Sequence, residues 1–449
     1  MKKLFVLLLL LTVTVVQSAE ELRIYAKAEK TDCLFKTGEN AVFNIQVLDK
    51  ENKVVAGKKV EYLIVGERGF QRQRNSFVSG TEPQKFQMTL KQPGFIRFLL
   101  WFPETPRKRT ELGAGFSPEK ITPGGTEPAD FDQFWAQELA KIKARLPEMK
   151  VTCKEFPAPV KYQGAVRCFD VRMDNGELVS TGFLAIPADA QNGKHPIIMC
   201  FNGAGKIGAD LSGILNQARV YKSIVFNMNL HGTKNLISKE EAKQLRNDPM
   251  IYKYWHRDAD SIEKYGTGMV FRRVLLTREY LKTRPEWDGE TIIARGGSMG
   301  GAQAIVASAN EPKMKFCFAG APAMCDHFGH LQQRTSGWPG LFREEQYKTG
   351  AKHDAAVKVM PYFDVTSFAK RVKCKTVVSA GFVDYVCPPG SIYAAYNVLG
   401  SQDKFLYTVP RGNHGLNLDP ESKAPGVFSY GGGIVQRTAL DAYRKAMQK

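Results

Sequence analysis

The chain of 449 residues has no Cys-x-x-Cys pair, and its eight cysteines are scattered without zinc-type spacing. That excludes the common structural metal clusters and a thioredoxin-like redox centre. It also lacks a second long apolar run after the N-terminus, an internal repeat, a low-complexity tract and a basic stretch interleaved with aromatics. These absences exclude a multi-span membrane protein, a solenoid and a nucleic-acid groove. No cofactor motif is present, and none is expected.

What is present is ordinary globular material, with 43% hydrophobic and 24% charged residues. Met1 to Lys3 are basic, Leu4 to Val16 are apolar, and Ser18 and Ala19 are small residues suited to cleavage. This reads as a signal peptide over residues 1–18, too short to span a bilayer of about 20 residues. The expectation is a secreted or periplasmic protein without a stable membrane anchor. The formal charge of +18 favours solubility or contact with anionic envelope or polysaccharide surfaces. In an oxidising compartment Cys153 and Cys168, which flank an expected hairpin, could pair; whether they do is left open.

Two units come after the leader. Residues 19–118 carry short alternating runs such as "AVFNIQVLD", "KKVEYLIV" and "FIRFLLWF", separated by turn residues. They predict a small antiparallel β-sandwich, accessory to the larger second unit. The stretch "PRKRTELGAGFSPEKITPGGTEPADFDQFW" is rich in glycine, proline and charge and reads as a linker running up to a helix, with the boundary near Glu119. In that helix Phe131, Phe134, Trp135, Leu139 and Ile142 form a buried stripe behind an Asp130 cap.

Residues 119–449 form the second unit. "AVRCFDVRM" and "LVSTGFLAIP" predict a hairpin, and then "HPIIMCF", "KSIVFNM", "ETIIARG", "MKFCFAGAP", "CKTVVSAG" and "DKFLYTVP" alternate with helical stretches. Continuous apolar strands of that kind imply an α/β fold with a mostly parallel sheet covered on both faces.

The chemistry centres on "TIIARGGSMGGAQAIVASA". Gly296, Gly297, Ser298, Met299 and Gly300 satisfy G-x-S-x-G between a strand and a helix, where the serine of a hydrolase elbow stands. A plain helix cap is the competing reading. A serine hydroxyl needs a base and an orienting acid, which in such a sheet come in the order acid, then histidine, after later strands. Of seven histidines, His414 in "RGNHGLN" fits the base, while His327 and His330 suit an acid-loop or pocket role. Asp384 in "FVDYVCPPG" fits the acid, with Asp326 its rival. Donors for the oxyanion are expected from the amides of Met299 and of Ala204 in "NGAGKIG", with Gly203 as the fallback.

With "EPADFDQFW", the serine elbow, "PYFDVTSFAKRVKCKTVVSAGFVDYVCPPGSIYAAYNVL" and the late histidine, the chain from about Thr126 onward resembles the acetyl xylan esterase and cephalosporin C deacetylase family of carbohydrate esterases. The resemblance implies an α/β-hydrolase, a triad at Ser298, Asp384 and His414, and an oxyanion hole at Ala204 and Met299. It also implies acetylated oligo- or polysaccharide as substrate, and it leaves a homo-oligomer open. The chain departs from the family at three places. Met299 stands where glutamine is usual, "NLHGTKN" replaces an arginine-glycine-glutamine segment, and Gly415 stands where glutamate commonly follows the histidine. These departures leave open a glucuronoyl or cinnamoyl esterase, a peptidase, or a silent glycan-binding protein. The polar insert from Thr233 to Lys264 is expected to form a lid or subunit contact, and its Tyr252, Tyr254 and Trp255 either stack on sugar rings or pack on the body.

Overall fold

The computed structural model describes residues 21–67 and 72–415. Residues 1–20, which include the expected leader, 68–71 and 416–449 lie outside the described residues.

The first unit is built from β1 (Arg23–Ala28), β2 (Leu34–Phe35), β3 (Ala41–Leu48), β4 (Lys59–Val65), β5 (Gln73–Val78), β6 (Gln84–Met88), β7 (Gly94–Trp101) and β8 (Arg109–Phe116). Strands β1-β3-β6 make one antiparallel sheet, and β2-β8-β7-β4-β5 make a second. The period-two pattern explains their packing. In β3, Ala41, Phe43, Ile45 and Val47 all face inward, and they share a core with Val60, Tyr62 and Ile64 of β4 and with Phe98 and Leu100 of β7. The rings of Phe43 and Phe98 meet edge to face at 5.9 Å, joining the two sheets.

One expected linker segment is instead a strand. "RTELGAGF" forms β8, and its glycines serve close packing rather than flexibility. A Cβ on Gly113 would collide with Phe382 of the second unit, and one on Gly115 would lie 2.7 Å from the Phe95 ring. Gly113 also donates its amide to the Pro410 carbonyl at 2.8 Å, so β8 is one of the places where the two units touch.

The second unit opens with α1 (Phe131–Ala144), whose Phe131, Trp135 and Ile142 are buried. Asp130 precedes it as expected but does not cap it through its side chain, which accepts a hydrogen bond from the Tyr362 hydroxyl instead. Then come β9 (Lys150–Phe156), β10 (Val166–Asp174), β11 (Val179–Pro187), β12 (His195–Phe201), α2 (Ser212–Tyr221), β13 (Ile224–Asn229), α3 (Lys239–Arg246), α4 (Gly266–Leu281) and β14 (Trp287–Gly297). The chain continues through α5 (Met299–Ser308), β15 (Met314–Gly320), α6 (Ala351–Val359), α7 (Val365–Ala369), β16 (Lys375–Gly381), α8 (Pro389–Asn397) and β17 (Lys404–Val409).

The strands form one nine-stranded sheet ordered β17-β16-β15-β14-β12-β13-β11-β10-β9. It is parallel from β13 through β17, and β9, β10 and β11 extend it antiparallel. Alternate side chains feed two cores: Ile197, Met199 and Phe201 of β12 join α1, α4 and α5, while Ile198 and Cys200 join α2. Every run expected to be a parallel strand is one; the inner strands are covered by helices on both faces, while the edge strand β17 leaves Phe405 exposed.

The open question of Cys153 and Cys168 is answered by register. Cys153 lies opposite Val171, and Cys168 lies opposite Phe156, three residues along the ladder from Cys153. Both thiols are free, so the disulfide is absent.

Candidate active site

Ser298 occupies the turn from β14 into α5 with φ 57° and ψ −123°, a backbone conformation that a residue bearing a Cβ rarely adopts. The turn is held from several sides. The Ser298 amide donates to the Gly320 carbonyl at 2.8 Å, and the Ser298 carbonyl accepts from Gly301 at 2.9 Å and from Ala323 at 3.0 Å. The flanking glycines are required by contact: a Cβ on Gly296 would strike the Gly300 carbonyl, and one on Gly300 would strike the Phe201 carbonyl. So the reading of Ser298 as a plain cap does not hold, since its side chain makes no cap hydrogen bond.

That side chain faces His414 instead. Ser298 Oγ lies 3.0 Å from His414 Nε2, and His414 Nδ1 lies 2.9 Å from Asp384 Oδ2. The other carboxylate oxygen, Asp384 Oδ1, accepts from the amides of Val386 at 2.8 Å and Cys387 at 3.0 Å. Asp384 is therefore fully occupied and buried, while the His414 side chain keeps about a quarter of its surface open, at 25%. The acid and base loops follow β16 and β17 and are pressed together, with Val383 donating to the Gly412 carbonyl at 3.1 Å. A Cβ on Gly381 would collide with that same Gly412 carbonyl, so only glycine ends β16 there.

The rival acid stands elsewhere. Asp326 accepts from the Gly124 amide at 2.6 Å and from Arg334 Nη2 at 2.8 Å, tying the segment before α1 to the loop after β15. Burial raises its carboxyl above the ordinary range, against the pull of Arg334. His327 is buried, and its backbone amide donates to Asp364 at 2.8 Å. His330 sets Nδ1 3.0 Å from Ser336 Oγ.

Met299 heads α5, where the first N–H groups of a helix have no acceptor within it. Ala204 lies in the turn after β12, and Gly203 beside it approaches the elbow, so that a Cβ there would be 4.0 Å from the Gly297 carbonyl. Gln303, which sequence reasoning did not single out, locks these two segments together. Its Nε2 donates to the carbonyls of Asn202 at 3.1 Å and of Met299 at 3.0 Å. A glutamine one turn into an apolar helix carries no sequence mark of that task.

The "NLHGTKN" segment has a structural role of its own. Asn229 donates to the Thr233 carbonyl at 2.9 Å and accepts from the His231 amide at 3.0 Å, closing the "NLHGTKN" turn. Burial, reinforced by Arg273 and Arg257, lowers the His231 imidazole from 6.5 to about 4. Tyr254 is 2% exposed and packs on His231 at 5.1 Å, so it is a core residue and no sugar platform. Trp255 packs on Trp338 at 5.0 Å, and Tyr252 is the exposed one of the three. Among the described residues no group of histidine, cysteine and carboxylate side chains could hold a metal, and no helix is long and apolar enough to cross a membrane.

The chain is 30% identical over 326 residues to an acetyl esterase of Xylanibacter ruminicola, covering 71% of each. Its fold is similar to that of an acetyl xylan esterase from Paenibacillus sp. R4, with TM-score 0.58, 19% identity and coverage of 73% of this chain and 98% of the other. It is also similar to acetyl xylan esterase 1 from Thermoanaerobacterium sp., with TM-score 0.54, 20% identity and coverage of 68% and 93%. Both likenesses are of fold, a mixed α/β architecture with a large, mostly parallel sheet. Residues 119–420 match the acetyl xylan esterase family over nearly all of the second unit, and the chain belongs to that family.

Proposed function

We propose that this protein is an exported serine esterase that removes acetyl groups from acetylated carbohydrate of the xylan or xylo-oligosaccharide type. The observation that carries the reading is the pair of contacts at His414, 3.0 Å to Ser298 Oγ and 2.9 Å to Asp384 Oδ2, within a chain of the acetyl xylan esterase family.

The chemistry is set by those contacts. Ser298 Oγ attacks the acetyl carbonyl as its proton passes to His414 Nε2. Asp384 accepts from Nδ1–H, fixes the ring orientation and balances the imidazolium. The amides of Met299 and Ala204 receive the oxyanion, a donor pair in which each member is worth about 3 kcal/mol of transition-state stabilisation. Collapse of the tetrahedral species breaks the ester bond, and His414 returns the proton to the departing sugar hydroxyl. Water, deprotonated by the same imidazole, then attacks the acetyl-enzyme and releases acetate.

The first unit serves as an accessory β-sandwich, and residues 1–18 direct export and are removed at Ser18 or Ala19. The reading is tested by acetate release from acetylated xylo-oligosaccharides and from nitrophenyl acetate, with feruloyl and methyl-glucuronoyl esters alongside. Acetyl substrates should turn over fastest, and Ser298→Ala should lose on the order of a millionfold in rate. Faster turnover of either other ester class would assign a different carbohydrate esterase to the same triad.

A further inference from the structure

A cleft of about 730 Å³ lies between the two units, large enough for several sugar rings. Glu67, just after β4, and Phe95 and Arg97 of β7 line one side, and Arg343, Lys348 and Tyr385 line the other. The walls are fixed to each other. Thr335 donates its amide to Glu67 Oε2 at 2.9 Å, and the Phe95 ring packs on Phe382 at 5.1 Å and on Tyr393 at 5.3 Å. Residues 67, 95 and 97 lie outside the matched span 119–420, so this wall is an addition to the family's catalytic unit.

The cleft adjoins the catalytic loop. Asp384 and Tyr385 both line it, and Tyr385 is 70% exposed, a large aromatic ring standing at the turn that carries the triad acid. Such a ring offers an apolar face to a sugar while its hydroxyl stays wet. The lining carries Arg97, Arg343 and Lys348 beside the carboxylates of Glu67 and Asp384. Lys348 is already paired with Glu345 at 2.6 Å, which leaves the guanidinium groups of Arg343 and of Arg97, whose field also reaches Glu111, as the stronger features. Arg343 is exposed and spends one N–H on the Ser336 carbonyl at 3.1 Å. Of the two carboxylates in the lining, Asp384 is committed to His414, and Glu67 accepts from the Thr335 amide. Guanidinium groups pair with carboxylates through parallel N–H donors, a geometry that neutral sugar hydroxyls do not match.

We propose that this cleft binds the glycan strand adjoining the acetylated sugar, and that Arg97 and Arg343 select strands bearing uronic acid carboxylates. The proposal rests on the reading of Ser298 as an esterase nucleophile acting on carbohydrate. Tyr385 bridges the ester-bearing sugar and the part of the strand that enters the cleft.

The test compares Arg97→Gln and Arg343→Gln with the wild-type chain on three substrates. These are acetylated xylo-oligosaccharides with a glucuronic acid branch, neutral acetylated xylo-oligosaccharides, and nitrophenyl acetate as the reference. For each variant, kcat/KM on the branched oligosaccharide relative to nitrophenyl acetate should fall about tenfold, the scale of one lost charge-assisted pair, and the neutral ratio should change less than about twofold. Equal falls on both oligosaccharides, or no fall on either, would overturn the proposal. Calorimetric binding of the deacetylated branched oligosaccharide to Ser298→Ala gives a readout independent of turnover. It should be tighter than binding of the neutral counterpart and should weaken with added salt; equal affinity for the two would also overturn the proposal. If Ser298→Ala retains acetate release, the esterase reading fails by itself, and the binding measurement still decides the cleft.

Discussion

Gly300 sits so close to the Phe201 carbonyl that the Cβ of any other residue would collide with it. This contact sets the spacing between the serine elbow and the loop after β12, the two segments proposed to supply the oxyanion donors. Gly300→Ala should therefore push Met299 and Ala204 apart. We expect a loss of about 1 to 3 kcal/mol in stability from overpacking and a fall of about a hundredfold in kcat from a displacement near 1 Å. Urea unfolding and steady-state turnover of nitrophenyl acetate measure the two effects. A variant with wild-type kcat would show that the spacing does not matter.

Ser298 holds φ 57° and ψ −123°, a strained region for a residue with a side chain. Glycine carries no Cβ and adopts such angles without strain. Ser298→Gly should thus unfold at higher urea than Ser298→Ala, by about 1 kcal/mol after the entropy of the freer unfolded chain is counted. Equal midpoints would mean that the turn stores no strain.

His231 links pH to stability. The unfolded imidazole takes up a proton near 6.5, and the folded one, disfavoured by burial and by Arg273 and Arg257, only at about 4. Acid therefore favours the unfolded chain. The contribution is complete above pH 6.5 and is lost as pH falls towards 4, by up to about 1.4 kcal/mol per pH unit. In His231→Gln the plot of unfolding free energy against pH should be flatter across that window. Identical slopes would place the titrating group elsewhere.

The sheet was legible because its parallel strands are buried on both faces and so appear as unbroken apolar runs, as in "HPIIMCF" and "CKTVVSAG". The segment Arg109–Phe116 was not, because two glycines that admit Phe382 and Phe95 have the same composition as linker glycines. Ser298 was marked by its glycines. Asp384 was favoured over Asp326 by its place after a late strand and by the family resemblance, although both come after strands of one sheet; in the fold one carboxylate meets His414 and the other meets Arg334. Gln303 and Arg97 left no trace in the sequence, because a hydrogen bond across loops and a wall supplied by another unit depend on tertiary placement alone.

The central claim is that the Ser298 hydroxyl is made nucleophilic by His414. It is tested most directly by treating the chain with a phosphonylating ester probe and mapping the adduct by peptide mass. The account predicts one adduct, on Ser298, formed at a rate that collapses in His414→Ala. An adduct on another residue that abolishes acetate release, or unchanged labelling of Ser298 in His414→Ala, would contradict it.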